Sequence, residues 1–265
     1  MSIYREEAIE TLIEALRRKA FLISQIMALD AFSSLSGRLT ASGKSLTEAM
    51  LLKSAGLDQS YNALLKAEKQ PHEVEQMETM EEEENVARSW EKRAAFVLCN
   101  HENGSIFKAL EECLKSNSLE MAKSCLVIAT WLTHMLTNLP DTGVRDTARN
   151  CLLDQFRNVL QSSRNLEEKA LATVALRSFI DDQDALKELG AYAKTICKSL
   201  RKLKRSSVVV TDILKALMNL TSINATELWS CAEVTEIDSG SNGEVLSLVH
   251  LKGRVFSSHS DGTIK

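Results

Sequence analysis

The chain has 265 residues, of which 44% are hydrophobic and only 5% aromatic, and it contains two prolines. This length provides one or two domains with a sizeable core, and the hydrophobic content excludes an intrinsically disordered chain. The scarcity of aromatic residues and proline favours helices over a β-sandwich, while a formal net charge of −4 disfavours nucleic acid as a general partner.

Export and membrane insertion find no support in the sequence. No apolar segment approaches the ~20 residues that a membrane span needs, and the first residues lack the apolar core of a signal peptide. We therefore expect a cytoplasmic or nuclear protein with no membrane partner, whose six cysteines are reduced thiols.

Three helices are predicted in the first 56 residues. Apolar residues recur at helical spacing from about Ile3 to Arg18 and again from about Phe21 to Leu35, where Gly37 supplies a natural C-cap. The capping box Ser45-Leu-Thr-Glu48 begins a third helix, which is predicted to end near Gly56.

A strongly acidic interval follows, with seven glutamates between residues 70 and 85. One interpretation is an acidic interaction arm. The interpretation that the pattern favours is a solvated acidic loop at about residues 70–84, leading into a helix whose first turn accommodates negative charge. That helix carries Val86, Trp90 and Val97 on one face.

From Ser105 onward, a shorter helix followed by a longer one recurs three times. The longer helices are predicted to begin at residues 118, 165 and 207, which are separated by 47 and 42 residues. This is the period of armadillo and HEAT units, about 40–47 residues. Because a single helix pair buries too little apolar surface, we predict that residues 1–224 form an all-α, armadillo-like solenoid.

The chain changes character after residue 224. Turn signals such as Asn242-Gly243 and Asp261-Gly262 come close together, and the runs from Glu244 to Leu251 and from Arg254 to Ser260 have the composition of short strands. We therefore predict β-structure in residues 225–265 that ends before it can close a sheet.

Residues 243–265, which end in Ser260-Asp-Gly-Thr-Ile-Lys265, resemble the opening strands of a WD-repeat blade, so residues 225–265 are interpreted as an incomplete first blade. Armadillo-like helices that lead directly into WD repeats resemble the plant Lumpy-infections/Cerberus type of E3 ubiquitin ligase. The motifs Trp90-Glu-Lys-Arg93, Cys99-Asn-His-Glu-Asn-Gly104 and Ala225-Thr-Glu-Leu-Trp-Ser-Cys231 carry the same resemblance.

The resemblance implies a protein with a U-box, armadillo-like repeats and WD repeats, in that order. The U-box recruits the ubiquitin-charged E2 enzyme and begins around a Cys-Pro-Ile motif, whereas no cysteine of this chain is followed by proline. We therefore expect the U-box to be absent from this chain, and no residue here inherits a catalytic role.

Two side chains of the first long helix are candidates for contact with a partner protein. Trp131 and His134 lie on the side of that helix away from Leu126, and solenoids commonly bind partners along successive second helices, with Trp enriched at such sites. The alternative is that neighbouring repeats bury both faces of the helix.

A basic cluster at residues 194–205 is the second candidate, with Lys198, Arg201 and Lys202 at its centre. Such a cluster can bind phosphate, nucleic acid or an acidic peptide. The alternative is that these cations stabilise a helix C-terminus and face solvent.

No catalytic, metal or cofactor site is predicted. The spacing of Cys99, His101 and Cys113 matches no zinc signature, and the cysteines lie on apolar stripes where thiols pack as small hydrophobes. The helical repeats therefore predict a protein-interaction scaffold. The resemblance implies that this scaffold belongs to an E3 ubiquitin ligase, in which it positions substrate or partner without catalysis of its own. The alternative is a helical-repeat binder of nucleic acid or acidic partners through residues 194–205.

Overall fold

The computed structural model describes residues 3–37, 45–57, 77–115, 119–140, 142–201, 203, 207–221, 244–251 and 254–264. The chain divides into two compact units, Met1–Asn224 and Ala225–Lys265. Every helix in the described ranges belongs to the first unit, and the second contains a β-hairpin. The predicted fold class, a helical repeat followed by a short β segment, is confirmed.

Eleven α-helices lie in the described part of the chain, together with a short 3-10 helix at His101–Asn103. In chain order the α-helices are α1 (Ile3–Arg17), α2 (Leu22–Leu35), α3 (Leu46–Ser54), α4 (Met77–Asn100), α5 (Ser105–Leu114), α6 (Leu119–Leu136), α7 (Val144–Ser162), α8 (Leu166–Arg177), α9 (Gln183–Gly190), α10 (Ala193–Leu200) and α11 (Val208–Thr221).

Eight of these helices form a two-layered stack of four helix pairs. In the first layer α1, α5, α7 and α10 pack side by side in that order, and in the second layer α2, α6, α8 and α11 do the same. Each first-layer helix also packs on its second-layer counterpart. Each pair therefore completes its apolar core against the next, as in an α-solenoid.

The stack contains an insertion that the sequence pattern does not reveal. The pair α1–α2 packs directly on α5–α6, so α3 and α4 lie outside the ladder of pairs. Helix α3 packs on α6 and α8, while α4 packs on α5 and α6. Helix α6 is thereby surrounded on more sides than a solenoid helix usually is.

Capping side chains fix several helix starts. Ser45 Oγ accepts a hydrogen bond from the backbone N–H of Glu48, which confirms the predicted start of α3. Asn165 Oδ1 accepts from the N–H of Glu167 at the start of α8. Asp182 caps α9, a short helix that the sequence analysis missed.

The predicted acidic loop at residues 70–84 needs correction. Helix α4 begins at Met77, so the glutamates at 78 and 81–84 belong to a helix rather than to a loop. Glutamate is a good helix former, and its charge is favoured near a helix N-terminus, so the segment extends the helix it was expected to precede. Residues 70–76 lie outside the described ranges.

The core runs along the whole stack, with fully buried side chains from all four helix pairs. Representative members are Phe32 of α2, Phe107 of α5, Phe156 of α7 and Ile213 of α11. Within the described residues, no helix has both the length and the apolarity that a membrane crossing requires.

Ion pairs join helices that are not consecutive in the sequence. Arg149 of α7 donates from Nη1 to Asp182 Oδ2 at 2.7 Å, and Arg177 of α8 donates from Nε to Asp212 Oδ2 of α11 at 2.9 Å. Asp182 also accepts from the backbone N–H groups of Asp184 and Ala185. Partial burial acts to raise the pKa of Asp182, but the bonds from Arg149 and these two amides outweigh it and lower the pKa.

The substitution Asp182→Asn is expected to lower the free energy of unfolding by roughly 0.5–1 kcal/mol near neutral pH, because it keeps the helix cap but removes the ion pair. The folded pKa of Asp182 is depressed. Its stabilisation is therefore complete above the unfolded pKa of about 3.9 and is lost as pH falls through the folded value. Urea unfolding across this range should show the two proteins converging at acid pH, with the exposed Asp30→Asn as control. A difference that persists at the lowest pH would contradict this account.

The second unit is an antiparallel hairpin of β1 (Val245–Leu251) and β2 (Arg254–His259), in which Val249 lies opposite Phe256. Both predicted strands are confirmed. After β2 the chain turns tightly at Gly262, which has a positive φ of 85°, and Ile264 then bridges to Ser258. The turn at Asp261-Gly262 thus leads into the beginning of a third pairing segment.

Candidate protein-binding surfaces

Trp131 lies inside the helical unit, with 1% of its side chain exposed. Its helix α6 packs on α2, α5 and α8 within the stack, and on the inserted α3 and α4 outside it. Of the two alternatives, the structure therefore supports burial of both helix faces. Trp131 thus presents almost no surface to a partner in this arrangement.

His134 lies one turn further along α6 and is half-buried. Removal of its ring from water lowers its pKa. The neutral imidazole therefore predominates near pH 7, where a surface histidine would be partly protonated.

The basic cluster is exposed where the structure describes it. Lys198 stands in the last turn of α10 and Arg201 at the residue that caps it, and both are exposed, as is Lys194. Lys202 lies outside the described residues. Because α10 belongs to the first layer and α6 to the second, Trp131 and the basic cluster do not form one site.

Helix α10 is held firmly on α7 beneath this cluster. The Arg157 guanidinium carbon lies 3.8 Å from the centre of the Tyr192 ring, a cation–π contact. Gln161 Nε2 donates to Thr195 Oγ1 at 2.9 Å. The exposed cations of α10 therefore project from a backbone that is anchored to the rest of the stack.

Helix α3 covers part of the second layer. Lys123 of α6 lies 2.9 Å from Glu48 Oε1 of α3 and 3.0 Å from Glu167 Oε2 of α8, so one ammonium group joins three helices. Thr47 Oγ1 donates to the Ser36 carbonyl at 2.6 Å. Helix α3 thus occupies part of the surface of α6 and α8, two of the second helices along which solenoids commonly bind partners.

The substitution Lys123→Ala is expected to loosen α3 without unfolding the stack. It leaves two carboxylates without their shared cation, and because Lys123 is 44% exposed we expect a loss of only about 1 kcal/mol. Hydrogen exchange should accelerate in residues 46–54 and remain unchanged in α10. Lys115→Ala, which removes an exposed pair with Glu111 within one helix, is the matched control. Equal exchange of α3 in both variants would contradict the role of Lys123.

The five cysteines in the described residues are free and buried. Burial raises the pKa of Cys99 to about 12 and of Cys151 to about 11, and it also raises that of Cys197. A hydrogen bond to Cys125 instead lowers the pKa of Cys113, although its Sγ is enclosed near the Leu16 carbonyl at 3.5 Å. Burial of this kind is typical of packing thiols rather than of reactive nucleophiles.

Among the described side chains, no three His, Cys, Asp or Glu residues are grouped as metal ligands would be. Cys99 and Cys113 instead lie in the apolar core, each with at most 2% of its side chain exposed. The described part of the chain is therefore a stack of helices that can contact other molecules through its charged and apolar surfaces.

Stacked helix pairs in two layers, repeating at the armadillo period, define an armadillo-like helical-repeat protein. Residues 1–218 match the family model described as "Putative E3 ubiquitin-protein ligase LIN, ARM-like domain". The chain belongs to this family, which confirms the resemblance to the plant ubiquitin-ligase type.

Three curated plant proteins are similar to the whole chain. "Putative E3 ubiquitin-protein ligase LIN" of Medicago truncatula is 66% identical over 266 residues. The proteins named LIN-1 and LIN-2 of Lotus japonicus are 64% and 62% identical. The chain spans only 18% of the length of each relative. No solved structure matches the chain.

Proposed function

We propose that this chain is the protein-interaction scaffold of an E3 ubiquitin ligase, which positions a substrate or partner for ubiquitination and catalyses no transfer itself. The observation that carries the proposal is the match of residues 1–218 to the ARM-like domain of such ligases. The relatives that cover the whole chain carry ligase names as well.

The construction of the stack suits positioning. The ion pair Arg177–Asp212 ties two neighbouring helix pairs together, and Arg149–Asp182 ties α7 to the start of α9. Each pair also shares its apolar core with the next. A bound partner is therefore held at a fixed place along the stack. Fixing a substrate near a reactive group raises its effective concentration, which is how a non-catalytic scaffold accelerates transfer.

The first layer offers the better docking surface in this proposal. Over α6 and α8 the second layer is covered by α3, whereas Lys198 and Arg201 are exposed on and beside α10. Cations at the rim of a surface steer an acidic partner and increase its association rate. We therefore propose an acidic segment of a protein as the partner of this surface.

We also propose that the hairpin forms the opening strands of a WD-like blade. Its support is the pairing of β1 with β2 and the turn at Gly262 into a third pairing segment. A cytoplasmic or nuclear location is also part of the proposal, in keeping with free thiols at the five described cysteines.

Incubated with E1, a panel of E2 enzymes and ubiquitin, this chain alone is expected to form no chain-dependent conjugates. The reason is that its sequence contains no Cys-Pro-Ile motif of the kind that begins a U-box, and its described cysteines are buried. Immunoblotting for ubiquitin is the measurement. Robust autoubiquitination would contradict the non-catalytic part of the proposal.

The scaffold role is tested by fusing the chain to an E2-recruiting module and identifying which proteins become ubiquitinated beyond those modified by the module alone. Lys198→Glu with Arg201→Glu should remove the added substrates if the first-layer surface binds them. The matched control is the same double reversal at Lys187 and Lys215, which are exposed on α9 and on the second-layer helix α11. An identical product pattern with and without the chain would contradict the proposal.

The exposure of Lys194, Lys198 and Arg201 also favours a second candidate function, binding of nucleic acid or acidic partners through residues 194–205. Fluorescence anisotropy with a duplex, a single strand and an acidic peptide separates these ligands. Nucleic-acid binding should weaken steeply with salt, because each phosphate contact releases a counterion.

A further inference from the structure

The described side chains of helix α4 are buried only near its C-terminal end. Its 24 residues correspond to a length of about 36 Å at 1.5 Å per residue. Its buried side chains in the described residues, Ala95, Leu98 and Cys99, all lie in its last two turns. Upstream, Val86 and Trp90 are 67% and 51% exposed. The middle of the helix thus carries two large apolar side chains that the protein leaves in contact with water.

These exposed residues form one stripe along α4. Val86, Trp90, Arg93 and Val97 follow one another at separations of four, three and four residues, which places them on one side of the helix. Arg93 is exposed and Val97 half-buried, so the stripe remains accessible where the helix packs on the stack. Continued towards the N-terminus, the same spacing reaches positions 83 and 79, occupied in the sequence by Glu83 and Thr79.

The charges along α4 change sign on either side of Val86. Five glutamates occupy positions 78 and 81–84. After Val86 the cations Arg88, Lys92 and Arg93 outnumber the one carboxylate, Glu91, so this half of the helix has a positive net charge. Such a helix is complementary to a second copy of itself that runs antiparallel. We align the two helices so that they cross at the level of residue 88, whose own side chain lies on the opposite side of α4. Position 83 then falls opposite Arg93 of the second copy, and Val86 falls opposite Trp90.

We propose that the stripe of α4 is a self-association surface, on which two copies of the chain pair their α4 helices antiparallel. In this register Val86 lies opposite Trp90 of the second copy, and position 83, a glutamate in the sequence, lies opposite its Arg93. Because the pairing has a two-fold axis, each of these contacts occurs twice.

A second copy fits this stripe better than an unrelated acidic or basic segment. An acidic segment would be attracted by Arg93 but repelled by the glutamates at 81–84, and a basic one would meet the reverse conflict. Only a segment with the same change of sign, aligned in the opposite direction, matches both halves. The antiparallel arrangement also brings opposite ends of the two helix dipoles together.

Sedimentation velocity and light scattering of the whole chain test the proposal. We expect a dimer that dissociates on dilution and at high salt, because salt screens the attraction between the oppositely charged halves of the two helices. The variants Trp90→Ser, Glu83→Arg and Arg93→Glu are each expected to weaken dimerisation by about tenfold or more, because each change is repeated by symmetry. Arg88→Glu, on the opposite side of α4, is the control and should leave the dimer intact.

Exchanging the charges at positions 83 and 93 is the decisive test of the pairing. The double variant Glu83→Arg with Arg93→Glu restores opposite charges across the pairing and should recover the dimer. An equimolar mixture of the two single variants should form a heterodimer for the same reason. A monomer at every concentration would overturn the proposal, as would a dimer unaffected by Trp90→Ser or not recovered by the double reversal. A monomer whose Trp90 is shielded from a fluorescence quencher would show a different occupant of the stripe and would also overturn it.

Discussion

Replacing Leu126 with aspartate is expected to unfold the helical unit. Leu126 is 2% exposed near the middle of α6, and α6 packs on helices of both layers as well as on α3 and α4. A carboxylate at this position loses its hydration, because the site is almost completely buried. We expect a loss on the order of 4 kcal/mol, a large fraction of the 5–15 kcal/mol that stabilises a typical domain.

Urea unfolding followed by far-ultraviolet circular dichroism measures this effect. Leu166→Asp is the matched control, because Leu166 is 43% exposed at the first position of α8, where the helix dipole favours a negative charge. The control should change stability by no more than about 0.5 kcal/mol. An unchanged midpoint for Leu126→Asp would show that its face of α6 is not part of the core.

The ladder of helix pairs is predictable from the sequence because its determinants are local. Apolar residues at helical spacing define a buried face, and capping residues such as Ser45 and Asn165 mark where helices begin. The strands of the hairpin are also predictable, since close-spaced turn residues bound short runs of strand composition. These signals lie within a few residues of the elements that they specify.

The position of α3 is not predictable in this way. Its contacts with α6 and α8, and the Lys123 bridge from Glu48 to Glu167, join residues that are far apart in the sequence. Periodicity identifies which face of α3 is apolar but does not identify the helices that cover it. Trp131 is buried, but burial in a solenoid depends on which helices pack together rather than on local spacing. For that reason the sequence left two alternatives open.

Helix α9 was not predicted, although the sequence contains the signals of a helix. Asp182 is followed by an apolar set at helical spacing, Ala185, Leu186 and Leu189, all of which are buried. Eight residues are too few for a convincing period, but the cap makes the helix recognisable. The acidic interval shows the opposite error, because charge density suggested a loop where glutamates instead extend α4.

The two tryptophans that the structure describes allow a sharp comparison between core and surface. Trp131 is 1% exposed, whereas Trp90 is 51% exposed. Truncation of a buried Trp leaves a cavity that the surrounding helices fill only in part, whereas truncation of an exposed one removes few contacts. The same substitution at the two positions therefore distinguishes a packing role from a surface role.

Trp131→Ala is expected to lower the free energy of unfolding by about 3–5 kcal/mol, and Trp90→Ala by no more than roughly 0.5 kcal/mol when measured on the monomer. Trp131→Phe should cost less, roughly 1–2 kcal/mol, because the indole Nε1 has no hydrogen-bond partner to lose. Urea unfolding at a protein concentration too low for self-association gives all three values. If Trp131→Ala leaves the midpoint unchanged but abolishes capture of a partner, Trp131 is a binding residue and its burial in this structure does not describe the protein in solution. If Trp131→Phe is as destabilising as Trp131→Ala, the N–H group makes a bond that the structure does not contain.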